Sequence, residues 1–178
     1  MRNLKDIIIE KLQINANKFV KHTLFPSRKS ELKEMIKTEI EKNGNECDLN
    51  HIDVSKITDM TYLFTGLDFN GDISGWDVSN VEDMSFMFYG SKFTGENGDI
   101  SSWDVSSVGD MSNMFFDSDF NRDISKWDVS NVLRMGWMFT KSKFSGDISN
   151  WDVSNVYSMT HMFDNCPLQN NPPKWYKW

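Results

Sequence analysis

The strongest constraint on this chain is a phrase that returns at fixed intervals. Trp-Asp-Val-Ser stands at 76–79, 103–106, 127–130 and 151–154, and Asp53-Val54-Ser55 is a further copy with Ile52 in the Trp position. An apolar residue follows two positions on (Ile57, Val81, Val108, Val132, Val156), and then come pairs three apart: Met60/Leu63, Met84/Met87, Met111/Met114, Met135/Met138 and Met159/Met162. A Phe follows each pair, and five residues later a second Phe stands at 69, 93, 120 and 144, with Leu168 in the last unit. Measured between the Asp residues at 53, 77, 104, 128 and 152, the steps are 24, 27, 24 and 24 residues. The long step comes from Glu96-Asn97-Gly98 in a Gly-rich stretch, which predicts a loop protruding from one unit. A period in the twenties with one supersecondary unit per repeat predicts a repeat stack, because no single unit can bury its own Trp, Met and Phe.

Within a unit, Trp76 and Val78 alternate with Asp77 and Ser79, which predicts a short strand. Val81, Met84, Met87 and Phe88 recur at helical spacing. The expected fold is therefore an α/β repeat: a right-handed leucine-rich-repeat-like solenoid of about five 24-residue coils, each a short parallel strand plus a helical turn, stacked at about 4.8 Å. Residues 31–42 put Leu32, Met35, Ile36 and Ile40 on one face, with Pro26 and Ser27 or Ser30 as start signals and Asn43-Gly44 as the stop. That reading divides the chain into an N-terminal amphipathic segment or tether (1–25), a helical cap (26–50), the coils (51–166) and a C-terminal cap (167–178). Whether Leu4, Ile8 and Leu12 in the first segment dock on the repeats or tether them elsewhere is left open.

The Trp-Asp-Val-Ser-Asn-Val…Met…Met-Phe…Phe-Asn-Gly-Asp-Ile-Ser pattern, over about residues 26–178, resembles the BspA-like leucine-rich-repeat family and its mycoplasma-type domains of unknown function. The resemblance implies a leucine-rich-repeat-like solenoid in which Trp, Met and Phe replace leucine. It also implies a bacterial protein, often at the cell surface, that binds other proteins.

Charge narrows the partner. The chain carries 19 basic and 26 acidic residues. The imbalance lies in residues 51–178, with 9 basic and 18 acidic. Nucleic acid is an unsuitable partner for such a surface. No run of about 18 apolar residues is present, so no membrane span is expected. The short Ile7-Ile8-Ile9 run lacks the features of a signal peptide, which predicts a cytoplasmic location, with a cell surface or virion as the alternative. Cys47 and Cys166 fall at opposite ends of the stack, about four unit rises apart, and are expected to be free thiols.

Chemistry finds little support. His22, His51 and His161 are scattered, and no P-loop, zinc spacing or nucleophile elbow is present, so no catalytic residue and no enzyme activity are expected. The Asp rows at 72/99/123/147 and 77/104/128/152 superficially suit calcium, but the period is wrong, and Asp and Ser serve turns well. No metal or cofactor is expected.

Since the recurring positions are explained by packing, specificity should reside where units differ. The slot before the second Met or Leu reads Tyr62, Phe86, Asn113, Trp137, His161, and the slot after the Phe adds Tyr89 and Phe116. These aromatics, together with Glu96 and Asn97 of the insertion, are the candidate partner-binding residues. The competing reading is a second packing layer without a partner. The functional expectation is a non-enzymatic, monomeric protein–protein interaction module of a bacterium or bacteriophage. Its alternatives are an acidic inhibitor of a nucleic-acid-binding target, or an adhesin-like virion or cell-surface component.

Overall fold

The structure, a computed structural model, describes residues 21–177; the amphipathic stretch containing Leu4, Ile8 and Leu12 lies outside them. The expected coils of strand and helical turn are not what forms. Among the described residues there is one α-helix, α1 (Lys29–Asn43), one 3₁₀ helix (Pro167–Asn170), and only single-residue parallel bridges. No sheet and no helical segment builds the repeats.

The repeats are built from turns instead. In the second unit the amide of Trp76 donates to Ile73 O (3.2 Å), that of Val81 to Val78 O (2.9 Å), that of Met87 to Met84 O (3.2 Å), and that of Ser91 to Phe88 O (3.1 Å). The Met84 and Phe88 turns carry positive φ at their third residue, 59° at Phe86 and 61° at Gly90. A left-handed residue breaks an α-helix, which explains why helical spacing of Met84, Met87 and Phe88 yields two consecutive tight turns. The same pair of corners recurs at Tyr62/Gly66, Asn113/Asp117, Trp137/Lys141 and His161/Asn165.

The Trp-Asp-Val stretch does alternate, with Trp76 and Val78 buried and Asp77 exposed. It is cut to three residues by the turns on either side. The parallel bridges fall elsewhere, linking Asp59, Asp83, Asp110, Arg134 and Ser158 in succession.

Successive units are joined by backbone bonds in both directions: the amides of Glu82, Gly109 and Leu133 donate back to Thr58, Glu82 and Gly109 of the preceding unit at 2.8–2.9 Å, and a longer series runs forward. Amides of Met84, Phe86, Phe88 and Gly90 donate to Asp110, Ser112, Met114 and Phe116 of the next unit at 2.8–3.0 Å. Equivalent bonds start at Met60, Met111 and Met135. The Trp indoles tie the opposite side: Trp76 Nε1 donates to Leu49 O, Trp103 to Ile73 O, Trp127 to Ile100 O and Trp151 to Ile124 O, at 3.0–3.3 Å. Each indole N–H is thereby satisfied at full burial.

Two aromatic columns fill the interior. Phe64, Phe88, Phe115, Phe139 and Phe163 stack at 5.3–6.0 Å, and Phe69, Phe93, Phe120 and Phe144 at 6.1–6.3 Å. Burying each Phe contributes about 1.5–3 kcal/mol.

Helix α1 covers the first unit with buried Leu32 and Ile36, while Met35 and Ile40 pack beside them. Its start is fixed by Ser27, whose N–H and Oγ both donate to the Glu31 carboxylate, and its end by Gly44 at φ 86°, donating to Ile40 O. The other end is closed by Trp175, which stands 24 residues after Trp151. Its indole donates to Ile148 O at 3.0 Å and stacks on Trp151 at 6.5 Å, so the C-terminal segment contains the Trp step of another unit.

Candidate functional site: an outer aromatic face

The first left-handed corner of every unit is the variable slot singled out by sequence: φ is 59° at Tyr62, Phe86 and Asn113, 56° at Trp137 and 58° at His161. A left-handed residue at a turn's third position directs its side chain out of the stack while Met and Phe on either side turn inward. Tyr62 is 47% exposed and Trp137 42%, and Phe86 is half-buried.

These side chains stack along the outside. Tyr62 lies on Phe86 with ring centroids 4.5 Å apart, and Trp137 on His161 at 5.5 Å. A second outer column adds Tyr89 on Phe116 at 4.7 Å, and Phe86 leans against Tyr89 at 5.8 Å and 36°. The Lys141 ammonium sits 5.6 Å above the Phe116 ring. Where this second column has Thr, the hydroxyl serves the backbone: Thr65 donates to Phe86 O, and Thr140 to His161 O. His161 Nδ1 is 2.7 Å from Asp164 Oδ2. Tyr62, Phe86, Tyr89 and Phe116 thus form one connected group, and Trp137 with His161 another, separated in the first column by Asn113.

Glu96 and Asn97 belong to a different feature. The insertion borders an open groove of about 980 Å³ lined by Asp99, Arg122, Asp123 and Asp147. Glu96 faces Arg122 at 3.6 Å, and the Asn97 amide donates to Asn70 O at 2.8 Å.

The Asp rows act in turns. Asp77, Asp104, Asp128 and Asp152 each accept the amide of the Ser two residues on at 3.0–3.1 Å, as do Asp72, Asp99, Asp123 and Asp147 at 2.9 Å. Hydrogen bonds from those serines hold the Asp104, Asp123, Asp128, Asp147 and Asp152 carboxyls below the ordinary carboxylate range. Among the described residues no three His, Cys, Asp or Glu side chains come together as metal ligands. No described helix is long and apolar enough to cross a membrane.

Sequence reasoning passed over one part of the surface. The slot after the Val reads Thr58, Glu82, Gly109, Leu133, Tyr157, and Leu133 and Tyr157 are 41% and 59% exposed. Arg134 joins Asp110 (2.7 Å) to the Tyr157 hydroxyl (2.8 Å). The comparison of units that found Trp137 finds this slot too. The positive φ was hidden, because three of the five variable-slot residues (Tyr62, Phe86 and Trp137) are types rarely seen there.

No curated protein and no solved structure matches this chain. A model of the mycoplasma protein family of unknown function DUF285 matches it twice, over residues 30–118 and 91–178. The two matches follow the recurrence of one turn-built unit, and together they extend over helix α1 and every repeat: the chain belongs to this mycoplasma family of unknown function.

Proposed function

We propose that the chain is a non-enzymatic binding module that holds a protein partner on its outer aromatic face. One observation supports this above the rest: large side chains stand where the backbone disfavours them. A bulky residue at φ near +60° costs on the order of 1 kcal/mol or more. The fold needs only a residue that tolerates the corner, and the companion corner uses Gly66, Gly90, Asp117 and Asn165 in four units, with Lys141 in the other. Asn113 and His161, types tolerant of positive φ, meet the same need in the third and fifth units, yet Tyr62, Phe86 and Trp137 occupy the other three. Stacking among them returns about 0.5–1.5 kcal/mol per pair. It still leaves Tyr62 and Trp137 nearly half exposed, the usual state of an interface anchor before binding. The kinship with BspA-like proteins carried by the Trp-Asp-Val-Ser phrase is part of the same proposal.

The test is capture from an extract of the native host on immobilised protein, comparing wild type with the Phe86→Ala/Trp137→Ala double variant. A protein retained by wild type through ~0.5 M salt and lost by an equally stable double variant supports this reading, since contacts of this kind are little screened. Retention by the double variant, or release from wild type by salt alone, overturns it and turns attention to the acidic rows.

A further inference from the structure

The first outer column has one small member. Phe86 N donates to Ser112 O and Asn113 N to Gly136 O, both at 3.0 Å, so Phe86, Asn113 and Trp137 follow one another by single repeat steps. With a step of about 4.8 Å, the Phe86 and Trp137 rings stand roughly 10 Å apart across Asn113. Occupied neighbours in the column are 4.5 and 5.5 Å apart. One planar group inserted midway therefore restores the spacing the column already uses, with a ring on each side.

We infer that this gap is a slot for an arginine side chain of the partner, an assignment that rests on the aromatic face being the binding surface. Planarity comes from the two walls: a guanidinium stacks on aromatic faces, whereas an ammonium is a compact, strongly hydrated charge. Positive charge comes from the surroundings. In the units that bound the gap, the slot after the Val, the bridge position and the companion corner hold Glu82, Asp83, Asp110 and Asp117 against Arg134 and Lys141. Both cations are engaged: Arg134 is 2.7 Å from Asp110, and Lys141 lies over Phe116. The latter contact shows these outer rings already holding a cation. Asn113 at the floor carries a carboxamide oxygen, the acceptor a guanidinium N–H requires.

The experiment is an NMR titration of the whole chain with N-acetyl-arginine methylamide, following the Trp137 indole N–H, assigned with Trp137→Phe. N-acetyl-citrulline methylamide, planar but neutral, and N-acetyl-lysine methylamide, charged but not planar, are the comparison probes. The arginine compound is expected to shift the Trp137 resonance saturably and to bind about two- to fivefold tighter than either. Asn113→Phe closes the gap and should abolish the shift. It should also fold normally, because Phe86 occupies the same corner one unit earlier at φ 59°. Equal response to citrulline or lysine, no saturable shift, or an unchanged shift in folded Asn113→Phe overturns the slot. If the slot fails while capture still depends on Phe86 and Trp137, the aromatic-face reading stands without it. If capture is indifferent to those residues, that reading falls separately.

Discussion

The Trp175 indole donates to the carbonyl of Ile148 at 3.0 Å, repeating one unit later the bond that Trp151 makes to Ile124 at 3.1 Å. The closing segment is therefore held by the same device as the interior, with Trp175 stacked on Trp151 and Tyr176 edge-on to Phe163 at 4.9 Å.

This bond makes the end of the stack sensitive to a single side chain. Trp175→Ala should cost about 2–4 kcal/mol in urea unfolding, from lost packing and the lost indole hydrogen bond. Trp175→Phe, which keeps the ring but removes the donor, should cost about 1 kcal/mol. A Trp175→Phe variant as stable as wild type would show that the hydrogen bond contributes nothing.

The left-handed corners can be probed where no side chain interferes. A Cβ added at Gly90 would meet nothing within 4 Å, yet φ there is 61°. Gly90→Ala should destabilise by about 1 kcal/mol through backbone conformation alone. Asp117→Gly, at the equivalent corner, should be neutral or stabilising by up to about 0.5 kcal/mol. Thermal unfolding of the pair measures the conformational cost that the aromatic residues also bear.

Gly71 reports on a different requirement. A Cβ there would lie 2.0 Å from the Cys47 carbonyl oxygen, at the junction with the segment before the first unit, whereas at Gly109 the nearest atom is 3.8 Å away. Gly71→Ala should therefore lose upwards of about 3 kcal/mol, and Gly109→Ala less than about 1 kcal/mol. Parallel denaturant titrations compare them directly.

Acid should weaken the fold through the turn carboxylates. The serine hydrogen bonds lower the folded pKa of Asp104 and Asp128 below the unfolded value, about 3.9. Their contribution is complete above that value and is lost as pH falls through the folded pKa. Stability should be level between about pH 7 and 5 and decline below about pH 4. Asp128→Asn, which keeps an acceptor for Ser130, should make the decline shallower. A decline unchanged by this substitution would place the acid sensitivity elsewhere.

Both cysteines are free and buried, and burial raises both thiols above their ordinary range. Neither should react with a thiol reagent in the native protein near pH 7.5, and both should react after unfolding. Rapid native labelling at Cys166 would mean that the C-terminal segment opens.

Much of the packing was legible in the primary structure because packing repeats. Trp76, Val81, Met84, Met87, Phe88 and Phe93 recur in sequence and are all buried. The backbone was not legible, and the reason is physical. Spacing of three and four between apolar residues describes which side chains face inward, and two consecutive turns satisfy that spacing as well as a helix does. The signal that separates them is a residue tolerant of positive φ, and Gly66 and Gly90 supply it, four residues after Tyr62 and Phe86. Gly is replaced by Asp117, Lys141 and Asn165 further along, which blurred the pattern. Trp175 was missed because Tyr176 follows it where the other units have Asp, although its 24-residue spacing from Trp151 was in plain view.

The corner at Tyr62, Phe86, Asn113, Trp137 and His161 has one more consequence, for how such a chain changes over generations. Its backbone is imposed by bonds from neighbouring amides, and side chains there leave the interior untouched. Tyr, Phe, Trp, His and Asn are already interchangeable among units at nearly one φ. A lineage can therefore rewrite this face one residue at a time while the scaffold beneath stays the same, so family members are expected to differ most at this corner.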